Sequence, residues 1–423
     1  MPDGGVALSQ DLRGHTCNRI PTDCRDVPPR QSIPISAGTM SRNTMYKNLR
    51  RQWLMSAAAL VASPTGLWAA APRGTAASAA KAPEPRPTLM LPLRVAFVYV
   101  SPVGNAGWSY QHDLGRLAME KELGDKVHTT VVESVNEGPD AERVFRDLAA
   151  RGNHLIVATS FGYQEAALKV AQDFPGVVFL HAGGFKSAPN FGTYNGRFYE
   201  GRYLAGMLAG KMSKTGVVGY VAGFPIPEVV QGINAFTLGL RAARPNAQVK
   251  VLWLNAWFDP ARERDAAQTL LNQGVDVLTY HCGSTAIPQL AEDKGVHLLG
   301  YQSDLRHIAP QSQLSSVVHD WGAYYTSVAR AVIAGNWAPQ PFWGGLRQRT
   351  VRLAPFSNKV PPALRFQLTE VERAIAAGRV HPFSGKLVDN EGRIRQAQGT
   401  MRDEDIALMD FLVDGVIGKL PGR

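Results

Sequence analysis

Cysteine is nearly missing from this chain: three in 423 residues, at positions 17, 24 and 282. No CxxC pair and no Cys/His spacing of a zinc site occurs. Cys282 stands alone in the regularly patterned region, can form no internal disulfide there, and reads as a small buried residue at a strand end. Charge is thin as well. Asp, Glu, Lys and Arg make up 19% against 45% hydrophobic residues, the balance of a globular protein with a real core. The formal charge is +10, but residues 1–71 hold eight basic and four acidic side chains, leaving 37 positive against 31 negative elsewhere. So small a surplus, with no basic run interleaved with aromatics, argues against nucleic-acid binding. Catalytic signatures are also missing. The sequence has no Gly-x-Ser-x-Gly, no P-loop, and no Gly-x-Gly-x-x-Gly after its first strand. His112-Asp113 and His281-Cys282 lack an evident third member. No enzyme activity, cofactor or metal is expected.

What is present begins with a leader. Residues 1–44 show no hydrophobic period and read as disordered or as an extension upstream of the true start, for which Met40 and Met45 are both candidates. From Met45, the basic residues Lys47, Arg50 and Arg51 precede about a dozen apolar residues and then small ones near Ala69–Ala71. That is the pattern of a secretory signal peptide over 45–71, too short to span a bilayer stably. The paired arginines also fit the twin-arginine route. No cysteine lies near the cleavage region, so a protein free in the periplasm, without a lipid anchor, is expected. Residues 72–92 are an Ala/Pro-rich linker.

Strands and helices then alternate. Arg94–Val100 is almost wholly apolar and β-prone, as suits a strand buried on both faces of a parallel sheet. A loop, Ser101–Gly107, and a helix from Trp108 to about Leu123 follow. The alternation continues to strand Val177–His181, leads away through Phe191–Phe198 and a helix Tyr199–Met212, and restarts at Val217–Ala222. Leu314–Ala334 has helical spacing, with Val317, Trp321, Tyr324, Tyr325 and Val328 on adjoining faces. Thr350–Leu353 reads as a short strand, Pro361–Ala377 as a helix, and Ser384–Arg395 as a hairpin. The two series repeat at an offset of 122: Arg94–Val100 matches Gly216–Ala222, Val127–Glu133 matches Val249–Asn255, and Leu155–Val157 matches Val277–Thr279. The expected fold class is therefore α/β, with two Rossmann-like lobes of parallel sheet joined by a hinge. Residues 93–212 are assigned to lobe one with part of the C-terminal crossover region, 213–345 to lobe two with the hinge crossover, and 346–423 to strands and helices completing both.

Ligands of such folds bind beyond the carboxyl ends of the strands. The loops there supply Asn105, Trp108, Tyr110 and Gln111, suited to a flat polar molecule. Aromatic residues recur just past strand ends: Trp108, Phe161, Tyr163, Phe224, Trp257 and Phe258. Glu228 and Asp259 open lobe-two helices, where an acidic residue is favourable without a ligand, and Asp304 follows a strand and caps no evident helix.

Several longer stretches carry a resemblance: Gly107–Asp113 (GWSYQHD), Thr159–Gly162, Arg197–Gly206 (RFYEGRYLAG), Phe224–Glu228 (FPIPE), Trp257–Pro260 (WFDP) and Ser303-Asp304. Together they resemble the basic membrane protein (BMP) family, ABC-importer receptors whose characterised relatives bind purine nucleosides or nucleobases. The likeness covers about Leu93 to Gly385 and implies a type I periplasmic binding protein. It implies a purine stacked on Trp108 and Phe161 with Trp257 across the cleft, and a ribose-binding role for Asp304. It also implies an ABC permease as partner and a monomeric receptor. The chain departs from the family where an acidic residue and a Phe-Asn pair are usual; here stand Asn105 and Trp108-Ser109. That makes a free base such as adenine at least as fitting as a nucleoside. A nucleoside or sugar hydrolase on the same scaffold, or a sensory ligand-binding module, are the alternative readings.

Overall fold

The computed structural model describes residues Leu91–Gly422. The readings of 1–44 as an extension and 45–71 as a signal peptide fall outside the described residues, as does the linker up to residue 90.

The first half is a six-stranded sheet in the order β11-β5-β4-β3-β1-β2. Its strands are β1 (Leu93–Val98), β2 (Val127–Val132), β3 (Leu155–Ala158), β4 (Val178–Ala182), β5 (Phe191–Gly196) and a late addition, β11 (Phe342–Gly344). All neighbours in it are parallel. The central strands β3 and β4 are buried at every position, which is why they read as continuous apolar runs and not as alternating ones. Helices α1 (Trp108–Leu123), α2 (Pro139–Ala150) and α3 (Gln164–Asp173) return the chain between strands.

The second half repeats this plan. Strands β6 (Val217–Ala222), β7 (Gln248–Trp253), β8 (Val277–His281), β9 (His297–Gln302) and β10 (Gln313–His319) take the order β10-β9-β8-β6-β7. Helices α5 (Pro227–Ala243), α6 (Pro260–Asn272) and α7 (Ala286–Lys294) connect them, and β12 (Val351–Leu353) and β13 (Val416–Ile417) extend the edges. The correspondence reaches the backbone dihedrals. Ser134, two residues after β2, and Asn255, two residues after β7, both take a left-handed conformation, at φ 56° and 53°. The α/β class, the parallel sheets and the duplicated lobes are those expected from the sequence.

Two expectations need correction. Leu314–Ala334 is not one helix. Its first part is β10, buried at all seven positions and paired with β9 and, antiparallel, with β12. Helical spacing holds only for α8 (Gly322–Ile333). A strand buried on both faces has no period of its own, so Val317 coincided by chance with the helical pattern that begins after it. The buried serines of β10 are satisfied: Ser315 Oγ donates to the Ala354 carbonyl at 2.8 Å and Ser316 Oγ to that of Ser303 at 2.5 Å. Second, α4 (Phe198–Met212), counted with the first lobe, packs on α5, β10 and β12 of the second half. Conversely, α8 packs on α1 of the first half. The chain therefore crosses between halves after β5, after β10 and again between β11 and β12.

Helices α4 and α5 cross in close backbone contact, and glycines make this possible. A Cβ on Gly206 would collide with the Phe236 carbonyl oxygen, and one on Gly239 with that of Tyr203. Both are backbone atoms, which cannot rotate away as a side chain can. Gly206→Ala and Gly239→Ala are each expected to destabilise the protein by about 1–3 kcal/mol. Urea unfolding followed by circular dichroism checks this.

Candidate functional site

The carboxyl ends of the two sheets face one another across a cavity of about 500 Å³, counting its part open to solvent.

Trp108 starts α1, and the loop before it must turn sharply. Gly107 has φ 97°, and a Cβ there would lie 2.5 Å from the Gly283 carbonyl oxygen of the other half. Only glycine satisfies both demands. The Gly107 N–H and the Gln111 side-chain amide both donate to Ser303 Oγ at 2.9 Å, pinning this loop to the second half. The Trp108 indole N–H donates to the Thr159 carbonyl at 2.5 Å, and the ring meets His112 edge-on at 4.5 Å and His319 at 5.7 Å. One face of the first half's wall is thus set by hydrogen bonding and by ring packing together.

Phe161 lies on the turn after β3, which Glu137 holds. One carboxylate oxygen of Glu137 accepts from Ser160 Oγ (2.5 Å), from the Gly162 N–H (2.9 Å) and, across the cleft, from the Trp257 indole N–H (3.2 Å). Trp257 is wedged further by Phe224, edge-on at 4.9 Å. Glu228 follows Pro227 in the first turn of α5, where its carboxylate favours the helix dipole. Its Oε1 is 3.5 Å from Nε2 of His281. His281 packs on Tyr301 at 4.6 Å, and the fully buried Arg202 guanidinium lies over the Tyr301 ring, 3.4 Å from its centre. Arg202 donates to Thr279 Oγ1 at 2.9 Å and to the Tyr280 carbonyl at 2.5 Å. Burial pushes the His281 imidazole below its ordinary value; Glu228 opposes this and Arg202 adds to it.

Four residues singled out from the sequence meet in the cavity: Trp108, Phe161, Glu228 and Trp257. Five do not line it. Tyr163 is fully buried in the first half's own core, its hydroxyl donating to the Val135 carbonyl at 2.6 Å. Asn105 is exposed on the loop. Gln111 is buried and spent on Ser303. Asp259 caps α6, accepting from the Arg262 N–H at 3.1 Å. Asp304 is held by Arg306 and by the Gln313 amide, the latter at 2.9 Å. Burial would raise its carboxyl, and these hydrogen bonds outweigh that and keep it below the usual carboxylate value. Glu137, His281 and Gln302 were not among the chosen residues. The last two sit at the carboxyl ends of strands, where this fold class places its ligands, whereas Glu137 carries no signal beyond its place in a loop before a helix.

A family model described as ABC transporter substrate-binding protein, PnrA-like, matches residues 93–382. The chain is 47% identical over 330 residues to a purine-binding protein of Brucella abortus, covering 78% of this chain and 94% of that one. It is 36% identical over 330 residues to a putative ABC transporter glucose-binding protein of Haloferax volcanii, covering 78% and 81%. Among solved structures, a solute-binding protein of an ABC transporter system from Aeropyrum pernix superposes with a TM-score of 0.60 at 18% identity. It covers 69% of this chain and 93% of its own, a likeness of fold.

The cleft floor is rich in buried imidazoles. Burial lowers His112 to about 3 and His181 to about 4, and pushes His281 down and His319 well below the ordinary value. Each is neutral in the folded chain at pH values where the unfolded chain binds a proton. Stability is therefore full above about pH 6.5 and falls as pH drops below it. Unfolding at pH 5.5 is expected to take up about three protons on account of His112, His181 and His319, with a further contribution from His281, and close to none at pH 8. Calorimetric unfolding in buffers of different ionisation enthalpy measures that uptake.

Proposed function

The chain belongs to the Bmp family of PnrA-like ABC transporter substrate-binding proteins, and we propose that the solute it carries is a purine base, adenine-like in shape and polarity. The observation that carries this reading is the cavity's wall structure. Trp108 and Phe161 come from one half and Trp257 from the other, so closure brings aromatic surfaces to a ligand from both sides. Each well-placed aromatic pair adds about 0.5–1.5 kcal/mol beyond the area buried. A planar heterocycle gains from that arrangement on both faces. The purine-binding relative from Brucella, identical at nearly half its positions, supports the same class of ligand. Asp304, which the resemblance offered for a ribose, is engaged by Arg306 and Gln313 and is absent from the lining, which favours a base over a nucleoside.

In this reading the base enters an open cleft and stacks on the first half. The second half then swings in about the three crossovers, and the closed form delivers its ligand to the membrane-embedded permease. Ligand-driven closure requires that the base bind the closed state more tightly than the open one; equal affinity would shift nothing. Such a receptor works outside the cytoplasm, as a monomer in the periplasm, and returns its ligand chemically intact.

Titration calorimetry tests this directly. Adenine is expected to bind and glucose to give no heat. Trp108→Ala is expected to weaken adenine binding at least tenfold, about 1.4 kcal/mol. An unchanged affinity removes Trp108 from the site. Adenosine recovered unaltered after prolonged incubation agrees with a receptor, whereas released base identifies a hydrolase.

A further inference from the structure

Hydrogen-bonding capacity in the cavity is weighted towards acceptors. The donors that its aromatic and hydroxyl side chains possess are already used inside the protein. Trp108 gives its indole N–H to Thr159, Trp257 gives its own to Glu137, and Ser160 gives its hydroxyl to the same carboxylate. Ser101 Oγ is paired with Ser109 Oγ at 2.8 Å. Acceptors are in the opposite condition. Glu228 is the only carboxylate in the lining, with 12% of its side chain exposed, and the one polar contact given to it among the described residues is His281 at 3.5 Å. Gln302, left-handed at φ 70° and 3% exposed, also lines the cavity, and its Oε1 has no partner.

A carboxylate removed from water costs several kcal/mol unless hydrogen bonds replace its hydration. One long contact to a neutral imidazole replaces little of it. A ligand that fills the cavity can supply the missing donors, and no lining cation is present to welcome an anion. Among the N–H groups of a purine, the ring azole N–H is the more acidic, hence the stronger partner for a carboxylate. A glutamine amide, with one donor and one acceptor side by side, matches the amino group and adjacent ring nitrogen of adenine.

We propose that Glu228 is the specificity determinant of this cleft, accepting the azole N–H of an unsubstituted nucleobase, so that the site takes free bases and rejects N9-glycosides and nucleotides. This rests on the purine reading above. Substitution at N9 removes the one donor that Glu228 needs and leaves its charge buried without compensation. Phosphorylated forms add a negative group to a pocket whose only charge is already negative. Gln302 reads the opposite polar edge of the base.

The test is a cycle of two ligands and three proteins by titration calorimetry: adenine and 9-methyladenine on the natural chain, Glu228→Gln and Glu228→Leu. In the natural chain 9-methylation is expected to weaken binding at least tenfold. With Glu228→Leu the two ligands should differ by less than threefold, and adenine itself should bind more weakly. Glu228→Gln keeps the volume and one acceptor oxygen, and an intermediate ratio is expected; it decides the matter should the leucine variant fail to show a native melting transition. A methyl penalty of the same size in all three proteins means that the discrimination is steric and overturns the role of Glu228. Equal binding of both ligands to the natural chain overturns it too, while leaving the purine reading in place. No binding of adenine to the natural chain overturns both.

Discussion

The two halves of this molecule are tied together over the cavity by a single carboxylate. Glu137 accepts from Ser160 and from the Gly162 N–H within its own half, and from the Trp257 indole across the cleft, all on one oxygen. The turn carrying Phe161 and the ring of Trp257 are thereby oriented by one group. The two aromatic walls owe their relative position to it. On the other flank, Ser303 does the equivalent work by accepting from Gly107 and Gln111. Across the cavity the halves thus meet through a few polar contacts, while behind it one hydrophobic core runs through both. Such contacts are worth only about 0.5–1.5 kcal/mol each, more where charged.

Below these contacts the floor of the cleft is a connected group of rings. Trp108 meets His112 and His319, His319 stacks on Phe198 at 3.9 Å, and Tyr301 joins His319 to His281. Arg202 lies over Tyr301 and holds the strand end that bears His281. Residues from α1, α4, β8, β9 and β10 all contribute, so the crossovers between the halves and the ligand cavity share one packed substrate of aromatic side chains. The imidazoles in it are kept neutral by burial, which leaves Glu228 as the cavity's one charge and makes its unfilled hydrogen-bonding capacity the most specific chemical feature of the site.

How much of this was legible in advance varies with the kind of feature. Helix α1 begins at Trp108 and ends at Leu123, as its spacing implied, and the 122-residue offset corresponds to two sheets with the same strand order. Strand β10 was misread because burial on both faces erases the period that would have marked it. Helix α4 sits on the half that follows it, and no local pattern in Phe198–Met212 says which sheet its apolar side will find.

The alternation of strands and helices, the duplication and the set of strand-end loops that border a cleft can all be read from the chain alone. Those features depend on local runs and spacing, which the chain carries wherever it folds. Which loop side chains turn inward was decided only by tertiary structure. Phe161 lines the cavity while Tyr163, two residues later, is core, because the turn held by Glu137 carries the next helix down onto Val135. Gln302 lines it while Asp304 does not, because Arg306 and Gln313 draw the carboxylate aside. The direction of a side chain in an irregular loop is set by partners distant in sequence, and those partners exist only once both halves have come together.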